Sequence, residues 1–307
     1  MRMPLDGERS GLLLRFQTLA WLVGVIVTAS AAGAIAGSQD GSAEQASISQ
    51  SANGQEESPD SNVDNNGHDI TRPQNSLEWR SRFESSLTDA SRTDRVSTML
   101  RLSRKLNLDD GWRLAALVQV PFVARTKTTF DSPSQQYNAG IGDAFVQGIL
   151  SHAINERMAF GFGARLIAPT AAENLGSEKW QIAPGFGFRY LLPELGADGS
   201  FVPAMRYAIS FAGSPYARRI SEPQIAPTLN IDLPGPLFVT FYPSNDIRIN
   251  YGAPVSGQTG RLFLPFDALV GAKLTNTLQV SLEVGVPIVK DYPVYNFKTE
   301  LRVRVLY

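Results

Sequence analysis

Charged side chains that alternate with apolar ones are the residues most able to do chemistry in this 307-residue chain. From Phe297 to Tyr307, apolar or aromatic residues take nearly every odd position and charges take most of the even ones. Successive strand side chains point to opposite faces, so such a segment has one apolar face and one charged face. Soluble sandwiches and membrane barrels both contain strands of this kind, and the rest of the chain must decide between them.

Residue types that usually perform catalysis are scarce. The chain has no cysteine, which excludes disulfides, thiolate metal sites and cysteine nucleophiles. Its two histidines are His68, in a polar stretch, and His152, near the predicted periplasmic end of a strand. A serine nucleophile needs a histidine base that a third group orients, and neither histidine is placed for work on surface lipid. We therefore expect no enzyme activity, metal or cofactor, and a lipid-modifying barrel enzyme is the less favoured alternative.

The N-terminus indicates export. Three arginines precede an apolar run and a stretch of small residues: Arg2, Arg9 and Arg15. This order is typical of a secretory signal peptide, which we predict over residues 1–36 with cleavage after Ala31 or Ala36. An uncleaved inner-membrane anchor is the alternative, but a segment rich in Ala, Gly, Ser and Thr makes a poor spanning helix.

A polar segment without aromatic residues follows, from 37 to 75. It has too little apolar area to offset the entropy lost on ordering, so it is predicted to be a disordered periplasmic linker. The formal net charge of the whole chain is -1, which gives no indication of a nucleic-acid partner.

Segments of period two fill residues 76–307, where no apolar run is long enough for a helical span. Each apolar row suits the ~9–11 residues of a tilted membrane strand. Twelve strands are predicted, near 76–89, 94–106, 112–125, 140–152, 157–169, 180–193, 201–212, 222–233, 237–250, 261–273, 277–289 and 294–307. An even number fits an all-β, antiparallel, up-and-down transmembrane barrel with both termini in the periplasm.

Aromatic residues at the row ends and alternating short and long connections favour a barrel over a sandwich. Trp112 and Phe122 lie at the two ends of one row, as Trp180 and Tyr190 do on another. We expect the barrel to lie in the outer membrane among its lipids, and the barrel assembly machinery to act on its C-terminal strand.

The rows opposite the apolar ones should line the lumen, where basic residues outnumber acidic ones. The candidate solute-contacting residues are Arg165, Arg189, Arg206, Arg248, Arg302, Glu283 and Asp267. One interpretation is a salt-bridged filling that stiffens the wall. The other is a lumen that weakly attracts anions, as charged rings do in channels.

Glycines form two further candidate features. Gly161, Gly163, Gly185 and Gly187 should point inward on neighbouring strands. This wall patch could leave space for a solute or for a folded-in segment, or it could simply permit strand coiling. At the predicted rim, the motif residues are Gly140, Gly142 and Asp143. Asp143 could bind a cation or an arginine, but a lone carboxylate makes a poor metal site, so pinning of the outer loop is favoured.

Several of these motifs resemble a known family. They are Gly140-Ile141-Gly142-Asp143, the Gly-aromatic strands around Gly161 and Gly185, and Phe241-Tyr242-Pro243-Ser244 leading to Asp246-Ile247-Arg248-Ile249-Asn250. Together they resemble the outer-membrane family of the MetA pathway of phenol degradation, over residues 94–307. The resemblance implies an outer-membrane barrel that passes small, aromatic solutes and has no catalytic residues to transfer, and the basic lumen adds anionic compounds to the expected solutes. A non-transporting barrel that anchors its tail or binds a partner is the alternative.

Overall fold

The computed structural model describes Gly67, residues 69–131 and residues 134–307. Across these residues the chain forms fourteen strands and two short 3-10 turns, Asp109–Gly111 and Pro193–Leu195. The strands are β1 (Ser76–Leu87), β2 (Ser91–Asn107), β3 (Trp112–Thr129), β4 (Gln135–Ile141), β5 (Phe145–Ala153), β6 (Met158–Ile167), β7 (Lys179–Leu191), β8 (Ser200–Gly213), β9 (Ser221–Asp232), β10 (Leu237–Phe241), β11 (Ile247–Ile249), β12 (Leu262–Lys273), β13 (Leu278–Lys290) and β14 (Phe297–Leu306). No helix among the described residues is long and apolar enough to cross a membrane.

The sheet closes on itself because β1 pairs with β2 on one edge and with β14 on the other. Neighbouring strands are antiparallel throughout, and two positions in the wall are each filled by two short strands. β4 and β5 both pair with β3, and β10 and β11 both lie between β9 and β12. Within the described residues the barrel therefore has twelve positions, which confirms the predicted closed up-and-down barrel.

Two predicted strands are broken where the sequence pattern suggested continuity. The strand predicted at 140–152 is interrupted at 142–144, and the one predicted at 237–250 is interrupted at 242–246. The connection between the strands predicted at 112–125 and 140–152 is mostly strand, because β3 and β4 stay paired from Phe122 opposite Ile141 to Thr128 opposite Gln135. This hairpin extends the wall at the end opposite Ser76 and Tyr307.

The barrel is apolar outside and charged inside. Phe186, Leu282 and Ile288 are 59%, 49% and 63% exposed, whereas Glu283, next to Leu282, is fully buried. Closure pairs every strand edge, so the backbone needs no water at the apolar surface. The alternating pattern therefore places the charged rows in the lumen, where any functional site must lie.

Candidate functional site

One side of the lumen is a continuous network of ion pairs, which we call the paired wall. It is formed by β1 and β11–β14 together with the segment that joins β10 to β11. Its charged residues are Glu78, Arg80, Arg82, Asp246, Arg248, Asp267, Glu283, Lys298, Glu300 and Arg302. Most of them are buried, and Asp267, Glu283, Lys298 and Glu300 have no exposed surface. Four of the predicted lumen residues, Arg248, Arg302, Glu283 and Asp267, belong to this wall.

Lys298 lies at the centre of three carboxylates. Its Nζ is 2.5 Å from Asp246 Oδ2, 2.5 Å from Glu283 Oε1 and 3.0 Å from Asp267 Oδ1. Ligand oxygens of the three acids lie within 4.8 Å of one another, which is an arrangement that could hold a metal ion. The ammonium group supplies the positive charge at that point. Arg248 adds a second contact, donating from Nη2 to Asp246 Oδ1 at 2.8 Å.

Glu300 joins this cluster to β1. It accepts from Arg302 Nε at 2.5 Å and from Arg80 Nη1 at 3.3 Å, and it also accepts from Arg82 Nε. Arg302 donates from Nη2 to Glu283, so the Lys298 and Glu300 clusters form one network. A buried ion network of this kind is costly to disrupt on one side only. The predicted salt-bridged filling is therefore a good description of this half of the lumen.

The opposite side contains arginines that donate to glutamine amides, and we call it the arginine–glutamine wall. Arg165 Nε donates to Gln147 Oε1 at 2.8 Å, and Arg206 Nε donates to Gln224 Oε1 at 2.5 Å. Arg101 donates from Nε and Nη2 to Gln119 Oε1, at 3.0 and 2.9 Å. These arginines line an internal cavity of about 270 Å³.

The glutamines were missed in the sequence analysis, although a signal was present. In all three pairs the glutamine and the arginine are eighteen residues apart and face each other directly across two antiparallel strands. A repeated arginine–glutamine separation at inward positions could have indicated cross-strand pairs.

Arg189 differs from Arg165 and Arg206, with which the sequence analysis grouped it. It is fully buried, and its Nη1 lies 3.6 Å from Asp69 Oδ2. Asp69 belongs to the short segment that precedes β1, which we call the entry segment (residues 69–75). This carboxylate offsets the charge that Arg189 was expected to offer to a solute.

The entry segment lies inside the barrel, at the end where Ser76 faces Leu306. Arg72 Nη1 is 3.4 Å from Asp198 Oδ1, and Lys273 Nζ is 2.5 Å from Asp198 Oδ2. Asp69, Thr71 and Arg72 are all buried. The domain boundary drawn at residue 75 is therefore too late, because part of the predicted linker packs on the wall. The remainder of the predicted linker, and the predicted signal peptide, lie outside the described residues.

Asp198 lies in the turn between β7 and β8, outside the spanning strands. Burial raises the pKa of its carboxyl group above the usual value, although the cations of Lys273 and Arg72 act in the opposite direction. Asp198 therefore takes up a proton at a higher pH than a solvated aspartate. Acidification would weaken the charge contacts that connect the entry segment to this turn.

The four glycines of the predicted patch do come together. Gly161 faces Gly187, and Gly163 faces Gly185, across β6 and β7. At Gly163, however, a Cβ would overlap the Gly148 carbonyl oxygen and approach Ile149 Cα to 2.8 Å. A Cβ at Gly187 would overlap the side chain of Ile70, just inside the entry segment. Close strand approach and packing of the entry segment therefore account for these two positions better than open space.

Asp143 at the rim contacts the outer loop between β6 and β7, rather than the loop that leads into Gly140. Its Oδ2 accepts from Ser177 N at 2.6 Å and from Ser177 Oγ at 2.7 Å, and its Oδ1 accepts from Ala171 N at 3.3 Å. Gly140 and Gly142 lie close to neighbouring side chains, and a Cβ at Gly140 would be 3.0 Å from that of Ala172. The hydrogen bonds of Asp143 hold the loop between β6 and β7 against the wall, and the absence of a side chain at Gly140 allows the close approach of Ala172.

His152 lies near the C-terminal end of β5, which is Phe145–Ala153. Its ring centroid is 4.8 Å from that of Trp112 and 6.1 Å from that of Phe160. These aromatic side chains form part of the barrel's outer surface, where Trp and Tyr typically meet the membrane interface.

Comparisons with known proteins agree with this architecture. An outer membrane channel from Pseudomonas putida F1 superimposes with a TM-score of 0.62 at 17% sequence identity, over 80% of this chain and 100% of that one. The KdgM porin aligns at 12% identity with a TM-score of 0.37, over 76% of this chain and 99% of that one. The NanC porin aligns at 9% identity with a TM-score of 0.44, over 75% and 98%. At this identity the first match supports the fold alone. The TM-scores of the two porin alignments are below 0.5, which is too low to support a conclusion about this chain.

The family assignment rests on the sequence itself. No curated protein matches the chain significantly. A family model described as "Putative MetA-pathway of phenol degradation" matches residues 60–217, about half of the chain. The match includes the entry segment, the rim motif and the glycine patch. The chain belongs to this family, as its motifs suggested, and its fold is that of an outer-membrane β-barrel.

Proposed function

We propose that this chain is an outer-membrane channel that passes small solutes and favours anions. The observation that carries the proposal is a closed barrel with an apolar exterior around a cavity of about 270 Å³ lined by arginines. Such a barrel is stable in a bilayer because its backbone is fully paired and its charges face inward. The Pseudomonas putida protein of the same fold is an outer membrane channel, which supports the same role here.

Outer-membrane lipids and the assembly machinery are the partners that this location implies. The C-terminal strand β14 pairs with both β13 and β1, and so completes the barrel. Tyr307 follows it, with the Arg104 guanidinium carbon 5.2 Å from its ring centroid. We propose that the assembly machinery acts on this strand, because barrel closure depends on it.

The preference for anions follows from the unequal walls. Cations of the paired wall have carboxylate partners, so they contribute little net charge to the lumen. Arg165 and Arg206 donate to neutral amides and form no ion pair with any described acidic residue. Their field should raise the local concentration of anions, most strongly at low ionic strength.

Two elements narrow the route that a solute would take through the lumen. The entry segment occupies the periplasmic end, and Leu175 of the outer loop is 2% exposed, with its carbonyl oxygen accepting from Arg95 Nη2 at 3.1 Å. We propose that the entry segment limits flux. Its Arg72–Asp198 ion pair connects it to the turn between β7 and β8.

Planar-bilayer recordings of the full chain and of a variant lacking residues 37–72 test this function. We expect ion conduction by the full chain and larger unitary conductance by the deletion variant. The deletion keeps Asn75, whose Oδ1 accepts from Lys105 N at 2.8 Å in the wall. If neither protein conducts although both migrate as SDS-resistant barrels, the channel proposal is wrong. Equal conductance would instead remove the entry segment from the path.

A non-transporting structural barrel is the second candidate, and the paired wall favours it. A dense buried ion network stiffens a wall without requiring a solute. Liposome flux assays separate the two, because a structural barrel passes no chloride. We propose no enzymatic role, since His152 lies among outward aromatic residues at the periplasmic end.

A further inference from the structure

The arginine–glutamine wall has, in addition to its positive charge, a repeated geometry of cross-strand arginine–glutamine pairs. Gln147 faces Arg165 across β5 and β6, and Arg206 faces Gln224 across β8 and β9. In both pairs the amide oxygen takes the Nε hydrogen, at 2.8 and 2.5 Å. Each glutamine therefore orients a guanidinium group without neutralising it.

This orientation leaves a specific edge of each guanidinium available. A guanidinium has five N–H donors in a planar fork, and the edge formed by Nη1 and Nη2 matches the two oxygens of a carboxylate. Arg165 and Arg206 have their Nε edges engaged by glutamine and make no ion pair with the acids in the described part of the chain. Arg101 is different, because its Nη1 is 3.8 Å from Glu78 Oε2.

The strand between the two arginines presents almost no side chain. Ala183 of β7 faces Arg165, and Gly185 of β7 faces Arg206. A Cβ at Gly185 would lie 2.8 Å from Arg206 Cβ, so any larger residue there would displace the arginine. Because neighbouring strands are about 4.8 Å apart, β6 and β8 leave a notch about two strand spacings wide above β7.

The notch opens into the internal cavity, which has apolar surface as well as charge. Phe145 and Met99 line it and are 8% and 7% exposed. The guanidinium carbon of Arg165 lies 3.9 Å from the centroid of the Phe145 ring, a contact that holds the guanidinium plane in place. The volume of about 270 Å³ exceeds the roughly 150 Å³ of a cavity known to bind benzene.

We propose that the lumen contains a binding site for a small organic carboxylate between Arg165 and Arg206. The carboxylate oxygens accept from the Nη edges of the two arginines above Ala183 and Gly185. The apolar body of the ligand lies towards Phe145. This inference rests on the proposed channel function and adds the chemical class of the solute.

Calorimetric titration of the purified full-length barrel in detergent tests the site, with benzoate as the probe. Benzamide has nearly the same shape and no charge, so it should bind at least tenfold more weakly. Equal affinities for benzoate and benzamide, or no binding of benzoate, would overturn the proposal.

A second test neutralises the charge of Arg165 and Arg206 without removing either arginine, and compares the benzoate affinity before and after. In a Gln147→Glu, Gln224→Glu variant, a carboxylate stands where each amide oxygen is now, and it closes both ion pairs with little change in shape. We expect benzoate affinity to fall at least tenfold, whereas Gln136→Glu on exposed β4 should leave it unchanged. If the double variant does not stay folded, Arg165→Gln replaces it, with the same expectation. Unchanged affinity in a folded variant would overturn the site.

Potassium chloride conductance, recorded on the same preparations, keeps the two proposals separate. Normal conductance without benzoate binding would overturn the carboxylate site and leave the channel standing. Benzoate binding without conductance would overturn the channel and leave a carboxylate-binding barrel.

Discussion

Both the paired wall and the arginine–glutamine wall carry inward-facing cations, but these cations have different partners on the two walls. On the paired wall, Lys298 contacts three carboxylates within 3.0 Å. On the other wall, Arg206 contacts the neutral amide of Gln224 at 2.5 Å. A cation with carboxylate partners stabilises the wall, whereas a cation with an amide partner keeps its charge for the lumen. The charge of the partner side chain, rather than the arginine or lysine itself, thus distinguishes the two walls.

Removing one cation from each wall should give the largest difference in stability between the two walls. Lys298→Met leaves three buried carboxylates without their ammonium partner, and breaking a buried ion pair on one side costs roughly 3–5 kcal/mol. Arg206→Met removes a single hydrogen bond to an amide and should cost about 1.5–3 kcal/mol. The temperature at which the SDS-resistant form disappears on a gel measures both, and equal losses would contradict the difference between the walls.

A smaller effect should come from the glycines on the arginine–glutamine wall. In Gly163→Ala the new methyl group overlaps the Gly148 carbonyl oxygen, and overpacking against backbone costs about 1–3 kcal/mol. Gly148→Ala is the matched control, because a Cβ there meets nothing within 4 Å. Thermal stability of the SDS-resistant form should fall in the first variant alone. Comparable stability of both would mean that the strands can separate and that the glycine is not required.

The smallest effect should be at the rim of the same wall. Asp143→Asn weakens the hydrogen bonds from Ser177 N and Oγ, at an expected cost of about 1 kcal/mol. Limited proteolysis should then cut within residues 168–178 several-fold faster. Asp131→Asn, at an exposed position, should leave the cleavage rate as it is. No acceleration in Asp143→Asn would show that other contacts hold the loop.

Most of the barrel could be predicted because period two is a local signal that recurs in every strand. The breaks at 142–144 and 242–246 could not, since they depend on distant partners. Asp143 lies outside the strand pairing and binds Ser177, and Asp246 likewise lies outside it and binds Lys298. Alternation alone does not reveal such contacts.

The sequence predicted which residues line the lumen, but it did not predict which side chains those residues contact. Arg165 and Arg206 do line the internal cavity, because inward position follows from strand parity. Arg189 has the same parity, but its partner Asp69 comes from a polar segment whose composition indicated disorder. Partnership depends on register and on packing inside the barrel, and neither can be obtained from the composition of a segment.

The most direct test of the account is the reversal potential of the barrel in a potassium chloride gradient. Wild-type protein should be anion-selective, and Arg165→Gln with Arg206→Gln should shift the reversal potential towards potassium, most clearly at low salt. Arg92→Gln, at an exposed ion pair with Asp94, is the control and should leave the potential nearly unchanged. A cation-selective wild type, or a double variant with the wild-type potential, would contradict the claim that the arginine–glutamine wall supplies the unneutralised charge of the lumen.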